Sequence, residues 1–412
     1  MVGVIDTRRD VEADEVRALA ELAFTEVGKA TRGIGAMHRA IADRVFSAVR
    51  LGVGGFAAPT QLMHNTIAGG TYRSIAAGCS LAAGVASRTI DGHGSALSET
   101  KRGAVALGAL TGLIGDALAD AQSPLAQEMS RRIDGKACRP DRESLARDHP
   151  DATPDLVFFL HGLMETEFAW EIGGTPTYGN RLASDLECTD LQIRYNTGRH
   201  ISENGADLGR LIAEVVANWP VPVDQIVLVG HSMGGLVARS ACHQAALADH
   251  EWATKVRHIV CLGSPHLGAP LAQTVHFATA ALRRIPEARP LGNLLHRRSG
   301  GIRDLHAGSL VDEDWHDRDL DALRQAAIAE VPLHVGAQHS FVSATITRSP
   351  SHPLGRVIGD GLVLHGSAGG RDRRRNIGFA EDAGMHLASA HHFTLLNSDA
   401  VYTWLVRRLT GS

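Results

Sequence analysis

Short apolar runs alternate with segments of helical spacing from residue 155 to the end of the chain. Apolar runs bounded by turn residues are typical of buried strands, whereas apolar residues repeated every three to four positions are typical of helices. The predicted strands are Leu156–Leu160, Leu191–Tyr195, Ile226–Val229, His258–Leu262 and Val331–Val335. A helix, Asn204–Trp219, is predicted between the second and third strands. This alternation predicts an α/β fold class, with a mostly parallel sheet covered by helices on both faces.

The residues before this region divide into a helical extension and a linker. Helical spacing in Val11–Val27 and Met37–Val49 predicts a helical extension over residues 1–135. Residues 136–154 contain three prolines among charged side chains, a composition typical of a linker. The α/β domain is therefore predicted to occupy residues 155–412.

Two stretches of the extension are rich in glycine and alanine. Ile75–Ser87 and Gly103–Ile114 are apolar over only about a dozen residues each, whereas a membrane-spanning helix needs roughly 20. We therefore expect a tightly packed helical hairpin, because small side chains let two helices approach closely. A peripheral membrane contact is the alternative.

One apolar strand stops abruptly at Gly230–Gly235, which reads Gly-His-Ser-Met-Gly-Gly, and residues of helical spacing follow it. In a Gly-x-Ser-x-Gly turn the glycines let strand and helix come close together, and the serine projects in a strained conformation. Ser232 is therefore the predicted nucleophile of a hydrolytic site. An ordinary glycine turn is the alternative interpretation.

A serine hydroxyl becomes a good nucleophile only when an imidazole takes its proton and a carboxylate orients that imidazole. In this kind of fold the acid and then the histidine follow the serine along the chain. Asp360 lies between two glycines after an apolar segment read as a strand end, and is the predicted acid. An Asx turn is the alternative role for Asp360. The adjacent His391 and His392, at a helix entrance, are both candidates for the base.

Acyl transfer also needs donors for the oxygen that becomes negative in the tetrahedral intermediate. The main-chain N–H of Met233, which follows the nucleophile, is one predicted donor. The second is expected in the loop after the strand that ends at His161-Gly162. Leu163 is assigned this role, with Met164 as the neighbouring option and a plain strand-ending glycine as the alternative.

Five short motifs occur in a specific order along the chain. They are Phe159–Gly162, Gly230–Gly235, Gly263–Pro270, Gly359–Val363 and His392–Leu396. In this order they resemble α/β-hydrolases, and in particular bacterial lipase-like esterases and the related domain of GPI inositol-deacylases. The resemblance, which covers residues 155–405, implies the α/β-hydrolase fold and a triad of Ser232, Asp360 and His392. It thereby favours His392 over His391.

The resemblance is weakest after Pro270. Residues 270–330 change character, with several prolines and a basic run His296-Arg297-Arg298 between two predicted core strands. An insertion on the side of the catalytic loops is a candidate lid over the active site. A solvated helical excursion on the surface is the alternative.

Composition narrows the classes of function. A net charge of −4 gives no general attraction to nucleic acid or to anionic lipid. Five scattered cysteines form no disulfide framework, and the first residues do not read as a secretory signal, so we expect a cytoplasmic protein. The sequence contains no zinc-hydrolase, Cys-x-x-Cys or P-loop motif, so we expect neither a metal nor a cofactor.

These observations together predict a serine hydrolase that cleaves carboxylic esters through an acyl-enzyme on Ser232. The expected substrate is a small-molecule or lipid ester, and the oligomeric state is left open. Two alternatives remain at this point: an acyltransferase with the same triad, and a binding protein that keeps the fold without turnover.

Overall fold

The computed structural model describes residues 96–269, 299–318, 328–373 and 375–411, together with Asp14, Glu15 and Ala18. The predicted stretch Ile75–Ser87, the predicted helical segments before it apart from those three residues, and residues 270–298 and 319–327 of the predicted lid lie outside the described residues. The predicted hairpin and the predicted lid therefore stay predictions.

The described chain alternates strands with helices. The strands are β1 (Ser130–Ile133), β2 (Lys136–Cys138), β3 (Asp155–Leu160), β4 (Thr189–Arg194), β5 (Gln225–His231), β6 (Val256–Leu262), β7 (Gln338–Thr345) and β8 (Gly384–Ala388). The helices are α1 (Lys101–Asp120), α2 (Arg142–Asp148), α3 (Tyr178–Leu186), α4 (Ile201–Asn218), α5 (Met233–Leu247), α6 (Gly300–Ala307), α7 (Pro353–Ile358), α8 (His365–Ala368) and α9 (Asp399–Thr410). Four of the five predicted strands are confirmed, as is the helix predicted between the second and third.

The strands form one sheet in the order β2-β1-β4-β3-β5-β6-β7-β8. All pairs from β4 across to β8 are parallel, whereas β1 is antiparallel to both of its neighbours. The carboxyl ends of the six parallel strands therefore meet at one edge of the sheet, where ligands bind in open α/β sheets.

Both faces of the central strands are buried. Along β3, Leu156, Phe158 and Leu160 pack into one hydrophobic cluster together with residues of α4 and α5. Val157 and Phe159 point the other way, into a second cluster that includes residues of α3 and α9. Successive side chains of a strand alternate between its faces, so a continuous apolar run fits a strand covered on both sides.

The strand predicted at Val331–Val335 is wrong. The last core strand before Asp360 is β7, which begins at Gln338 and pairs with β6 from His258 onward. Residues 331–335 therefore lie before the paired segment, and Pro332 has no N–H to donate to a ladder. Val335 is 91% exposed, so its apolar character does not mark a buried strand.

The predicted linker at 136–154 also differs from the structure. It contains β2 and α2, and β1 already begins at Ser130, so the sheet starts before the predicted boundary at 155. β1 reads Ser-Arg-Arg-Ile, which lacks an apolar pattern. Its Arg131 is nevertheless fully buried, because the guanidinium is paired with Asp148 of α2 at 2.7 Å. The ion pair with Asp148, and not an apolar pattern, thus accounts for the burial of Arg131 in β1.

Helix α1 contains the predicted apolar stretch Gly103–Ile114 but is longer, at 20 residues. By length and composition it is the one described helix that could cross a membrane, although 61% of its apolar window is buried inside the protein. Main-chain carbonyls of α1 accept hydrogen bonds from Asn196 (2.8 Å) and Ser299 (2.7 Å). The helix therefore packs beside the loop after β4 and the start of α6.

Candidate active site

Ser232 lies in the sharp turn between β5 and α5. Its backbone has φ 52° and ψ −118°, a left-handed conformation that is strained for a residue with a side chain. A Cβ on Gly230 would lie 2.3 Å from Gly235 N, and one on Gly234 would lie 2.3 Å from Leu160 O. The two glycines are therefore required by the close approach of helix and strands. The Ser232 side chain is partly exposed at the carboxyl edge of the sheet.

Asp360 and His392 come after β7 and β8, which lie beyond β6 in the sheet, and they meet at this edge. Asp360 Oδ2 is 2.7 Å from His392 Nδ1, and both side chains are almost completely buried. Asp360 Oδ1 accepts the main-chain N–H groups of Leu362 and Val363, at 2.9 and 2.8 Å. The carboxylate therefore has one oxygen fixed by its own turn and the other on the imidazole.

The local setting of Asp360 differs from the prediction in one respect. The apolar residues before it are the end of helix α7 and not a strand end, and Val357 is 71% exposed. The two hydrogen bonds to Oδ1 are those of an Asx turn. The predicted role of Asp360 as the acid is thus compatible with an Asx turn, because one carboxylate oxygen contacts the imidazole and the other accepts the hydrogen bonds of the turn.

Of the two adjacent histidines, His392 is the one beside Asp360. His391 is exposed, and its main-chain N–H is bonded to the Thr394 hydroxyl at 3.3 Å at the start of a 3₁₀ turn, His392–Leu396. The main-chain N–H of His392 donates to Asp360 O at 3.1 Å. Backbone and side-chain contacts together hold the His392 ring against the acid.

The His392 ring lies next to the sharp turn between β5 and α5 that holds Ser232, called the elbow below. Its centroid is 4.6 Å from that of His231, the residue before Ser232. The buried Nε2 of His392 has no hydrogen-bond partner among the described residues, so the Ser232 hydroxyl is not bonded to it. The structure thus pairs two of the predicted residues directly and brings the third close to them through its chain neighbour.

The environment of His392 changes its pKa. Burial lowers the pKa, because a charged ring loses solvation. The charge of Asp360, its hydrogen bond to the ring and the charge of Glu165 act in the opposite direction and outweigh burial. The pKa of His392 is therefore raised above its ordinary value of 6.5. An imidazole held in this way accepts a proton readily.

The loop after β3 carries the predicted oxyanion donors. The N–H of Met164 is occupied, since it donates to Thr197 Oγ1 at 3.1 Å, and Met164 itself has a left-handed φ of 62°. The N–H groups of Leu163 and Met233 donate to no group in the part of the chain that the structure describes. A Cβ on Gly162 would lie 3.0 Å from Ser232 Cβ, so the loop directly adjoins the elbow. Leu163 and Met233 remain the predicted donors.

Sequence reasoning missed Glu165. Its Oε2 accepts the N–H of Gly162 at 2.6 Å and lies 3.0 Å from Nδ1 of His231. Burial raises the pKa of Glu165, but the charge of His231 and these hydrogen bonds outweigh burial, so that the pKa is lowered below 4.5. The one signal in the sequence is an acidic residue just after the His161-Gly162 turn. Nothing there links it to His231, which is 66 positions away.

A cavity of about 490 Å³ in the described part of the chain does not lie at this site. It lies near the opposite edge of the sheet, beside the end of α5 and the residues before β6 and β7. Its lining includes His243, Asp249, His250 and His334, and none of the predicted catalytic residues. No group of three or more histidine, cysteine, aspartate or glutamate side chains in the described part of the chain is arranged to hold a metal ion.

Comparison with known proteins found one matching family model and a set of similar solved structures. Residues 190–315 match the model of a family described as PGAP1-like alpha/beta domain. Similar solved structures include the mature Bacillus licheniformis lipase BlEst2, at 17% identity and a TM-score of 0.40 over 62% of this chain and 90% of that one. A Staphylococcus hyicus lipase is 13% identical with a TM-score of 0.36, over 63% of this chain and 95% of that one.

Lipase 1 from Pelosinus fermentans is 15% identical, with a TM-score of 0.36 over 63% of this chain and 99% of that one. None of the curated proteins compared with the chain matches it. The evidence for the fold is the parallel sheet, the elbow at Ser232 and the family match. The described chain has the α/β-hydrolase fold, and its residues 190–315 are similar to the PGAP1-like alpha/beta domain, as the resemblance of its motifs predicts.

Proposed function

We propose that this protein is a serine hydrolase that cleaves carboxylic esters through an acyl-enzyme on Ser232. The observation that carries the proposal is the buried Asp360–His392 pair, whose Nε2 lacks a partner among the described residues, next to a serine in a left-handed strand-to-helix turn. A serine of this kind needs a base and an orienting acid to become nucleophilic.

In the first half of the proposed reaction, Ser232 Oγ attacks the ester carbonyl carbon while His392 Nε2 takes the hydroxyl proton. The carbonyl π electrons move to oxygen, and the N–H groups of Leu163 and Met233 stabilise the oxyanion. Collapse of this intermediate breaks the bond to the alcohol oxygen, which receives the proton from His392. Asp360 keeps Nδ1 protonated and stabilises the imidazolium.

In the second half, His392 takes a proton from water, and the resulting nucleophile attacks the acyl-enzyme carbonyl. The second tetrahedral intermediate expels Ser232 Oγ, to which His392 returns the proton. The products are one carboxylic acid and one alcohol per ester, and one water is consumed. Every proton in these steps is moved by His392.

The proposed substrate is a small-molecule or lipid ester. Support comes from the family match around Ser232 and from the names of the similar solved structures, several of which are lipases. Esters of increasing acyl length, assayed beside an emulsified triglyceride, report whether the acyl chain preferred is short or long. An added alcohol that diverts the acyl group from water would identify a transferase instead.

The test is replacement of the nucleophile. Ser232→Ala should lower kcat for p-nitrophenyl esters by roughly 10⁶-fold and abolish labelling by a fluorophosphonate, because no oxygen remains to attack. Circular dichroism checks that the fold is retained. Ser130→Ala, on β1 and separated from β5 in the sheet by β4 and β3, is the matched control and should behave as the wild type. Ester cleavage that persists in Ser232→Ala, or a wild type that the probe does not label, would overturn the proposal.

A further inference from the structure

The loop that carries Leu163 is joined to the elbow by a single side-chain atom. Glu165 Oε2 accepts the N–H of Gly162 at 2.6 Å and is 3.0 Å from Nδ1 of His231. Gly162 immediately precedes Leu163, and His231 immediately precedes Ser232. One carboxylate oxygen therefore bonds to the chain neighbours of both the second oxyanion donor and the nucleophile.

Hydrogen bonds also hold the loop on the carboxyl-terminal side of Leu163. Met164 N–H donates to Thr197 Oγ1 at 3.1 Å, and Glu165 N–H donates to Gly162 O at 3.2 Å. These contacts and the one to Glu165 Oε2 occupy the N–H groups on both sides of Leu163. The arrangement leaves the Leu163 N–H as the free donor of the turn among the described residues.

The conformation of this turn needs such support. Met164 has a φ of 62°, which is unfavourable for a side chain of its size and persists only where surrounding contacts impose it. Glu165 is almost buried, with 10% of its side chain exposed. A buried carboxylate is costly without partners, so both of its hydrogen bonds contribute to keeping it in place.

The same carboxylate also stabilises the orientation of His231. The His231 ring is fully buried between Glu165 and His392, and its Nε2 is 3.4 Å from His392 O. Displacement of His231 would therefore disturb both the elbow and the backbone that carries the proposed base.

We propose that Glu165 is a positioning residue that fixes the loop Gly162–Glu165, called the oxyanion loop, relative to Ser232, so that the Leu163 and Met233 N–H groups converge on one oxygen. This inference rests on the proposed function and names a part of its machinery that contacts no substrate. A donor misplaced by about 1 Å loses much of its effect, since oxyanion stabilisation depends on distances fixed before the reaction.

Two substitutions separate geometry from charge. Both hydrogen bonds of Glu165 go to Oε2, and Oε1 takes part in neither. Glu165→Gln can place its one amide oxygen at the Oε2 position, keeps both bonds and removes the charge. Glu165→Ala removes both bonds. Glu171→Gln and Glu171→Ala are the matched controls, because Glu171 lies in the same segment but pairs at the surface with Lys101.

We expect Glu165→Ala to lower kcat for a p-nitrophenyl ester by about 10- to 100-fold with KM changed less than about threefold, because one donor worth about 10²–10³ is partly lost. Glu165→Gln should recover most of that loss. The rate of fluorophosphonate labelling should follow the same order, since the phosphonyl oxygen uses the same donors. Both Glu171 variants should match the wild type in kcat, KM and labelling.

The outcomes distinguish this inference from the proposed function. An active, labelled wild type whose Glu165→Ala variant is equally active would overturn the positioning role alone. A Glu165→Gln variant as impaired as Glu165→Ala would also overturn it, because the bridging bonds would then be irrelevant. A wild type that neither cleaves esters nor labels at Ser232 would overturn the function first and this inference with it.

Discussion

At the scale of single residues, His392 shows how burial and charge compete. A buried imidazole by itself would be held neutral, and a solvated one would titrate near its ordinary pKa. Here Asp360 lies 2.7 Å from Nδ1 and shares the burial of the ring, so that ring and acid form one hydrogen-bonded unit. The result is a ring with a raised pKa, which suits the acceptance of a proton in the proposed reaction.

This balance predicts the pH dependence of activity. Because the proposed base is neutral His392, kcat/KM should fall as the pH falls through a pKa that lies above 6.5. Asp360→Asn removes the charge and the acceptor that raise this pKa, so the acidic limb of the profile should move to lower pH. Its kcat should also fall by about 10⁴-fold, since the tautomer is no longer fixed.

The measurement is kcat/KM for a p-nitrophenyl ester, followed from acidic to mildly alkaline pH. Asp399→Asn serves as the control, because this carboxylate is 93% exposed and pairs with Arg181 at the surface. An acidic limb that stays in place in Asp360→Asn, with turnover unchanged, would contradict the role given to the acid.

At the scale of elements, the elbow depends on strand and helix being in close contact. β5 lies between β3 and β6 in the sheet, and Ser232 N–H donates to Leu262 O, at the end of β6, at 2.8 Å. The turn is thus bonded to the sheet through a neighbouring strand as well as through its own chain. Overpacking at this point has to shift backbone, which does not relax as a flexible side chain would.

Gly234→Ala tests this packing. Its Cβ would lie 2.3 Å from Leu160 O, so we expect a loss of about 1–3 kcal/mol in the free energy of unfolding, measured in urea. Gly209→Ala is the matched control on α4. Its Cβ would meet nothing closer than Trp252 Cζ2, at 3.6 Å, and should be neutral or add up to about 1 kcal/mol. A Gly234→Ala protein as stable as the wild type would show that the elbow accommodates a Cβ at this position without strain.

At the scale of the whole molecule, Arg194 joins the region before α1 to the sheet. It lies at the end of β4, is almost fully buried, and forms a two-bond pair with Glu167, with Nε at 2.6 Å from Oε2. Its Nη1 donates to Ser98 O, just before α1, at 2.5 Å. Through these contacts the residues before the sheet pack on the same edge as the oxyanion loop.

Glu167→Gln should therefore cost about 3–5 kcal/mol in the free energy of unfolding, because it leaves a buried guanidinium without its counter-charge. The double variant Arg194→Met with Glu167→Leu should recover much of this loss, since it removes both charges. Asp382→Asn, which breaks an exposed pair with Arg408, should change stability by less than about 1 kcal/mol. The free energy of unfolding of the three variants is measured by urea denaturation. Equal losses of stability for Glu167→Gln and Asp382→Asn would contradict the role given to the buried pair.

Much of the fold was predictable because its signals are local. The apolar runs of β3, β5 and β6 predict buried strands without any knowledge of their neighbours in the sheet. The Gly-His-Ser-Met-Gly-Gly sequence predicts the elbow because the close approach of helix and strand needs glycine at fixed positions. Strand β1, which the sequence did not predict, is of the opposite kind. β1 is polar, and its burial depends on Arg131 meeting Asp148 of a later helix.

The sequence by itself determined the order of the motifs, the parallel sheet and the residues offered as nucleophile, acid and base. Only the tertiary structure decided which histidine faces Asp360, that a helix precedes that acid, and that Glu165 lies between Gly162 and His231. The reason is physical. Periodicity and turn chemistry are set by neighbours along the chain, whereas a hydrogen bond across 66 positions exists only once the sheet has brought its carboxyl ends to a single edge.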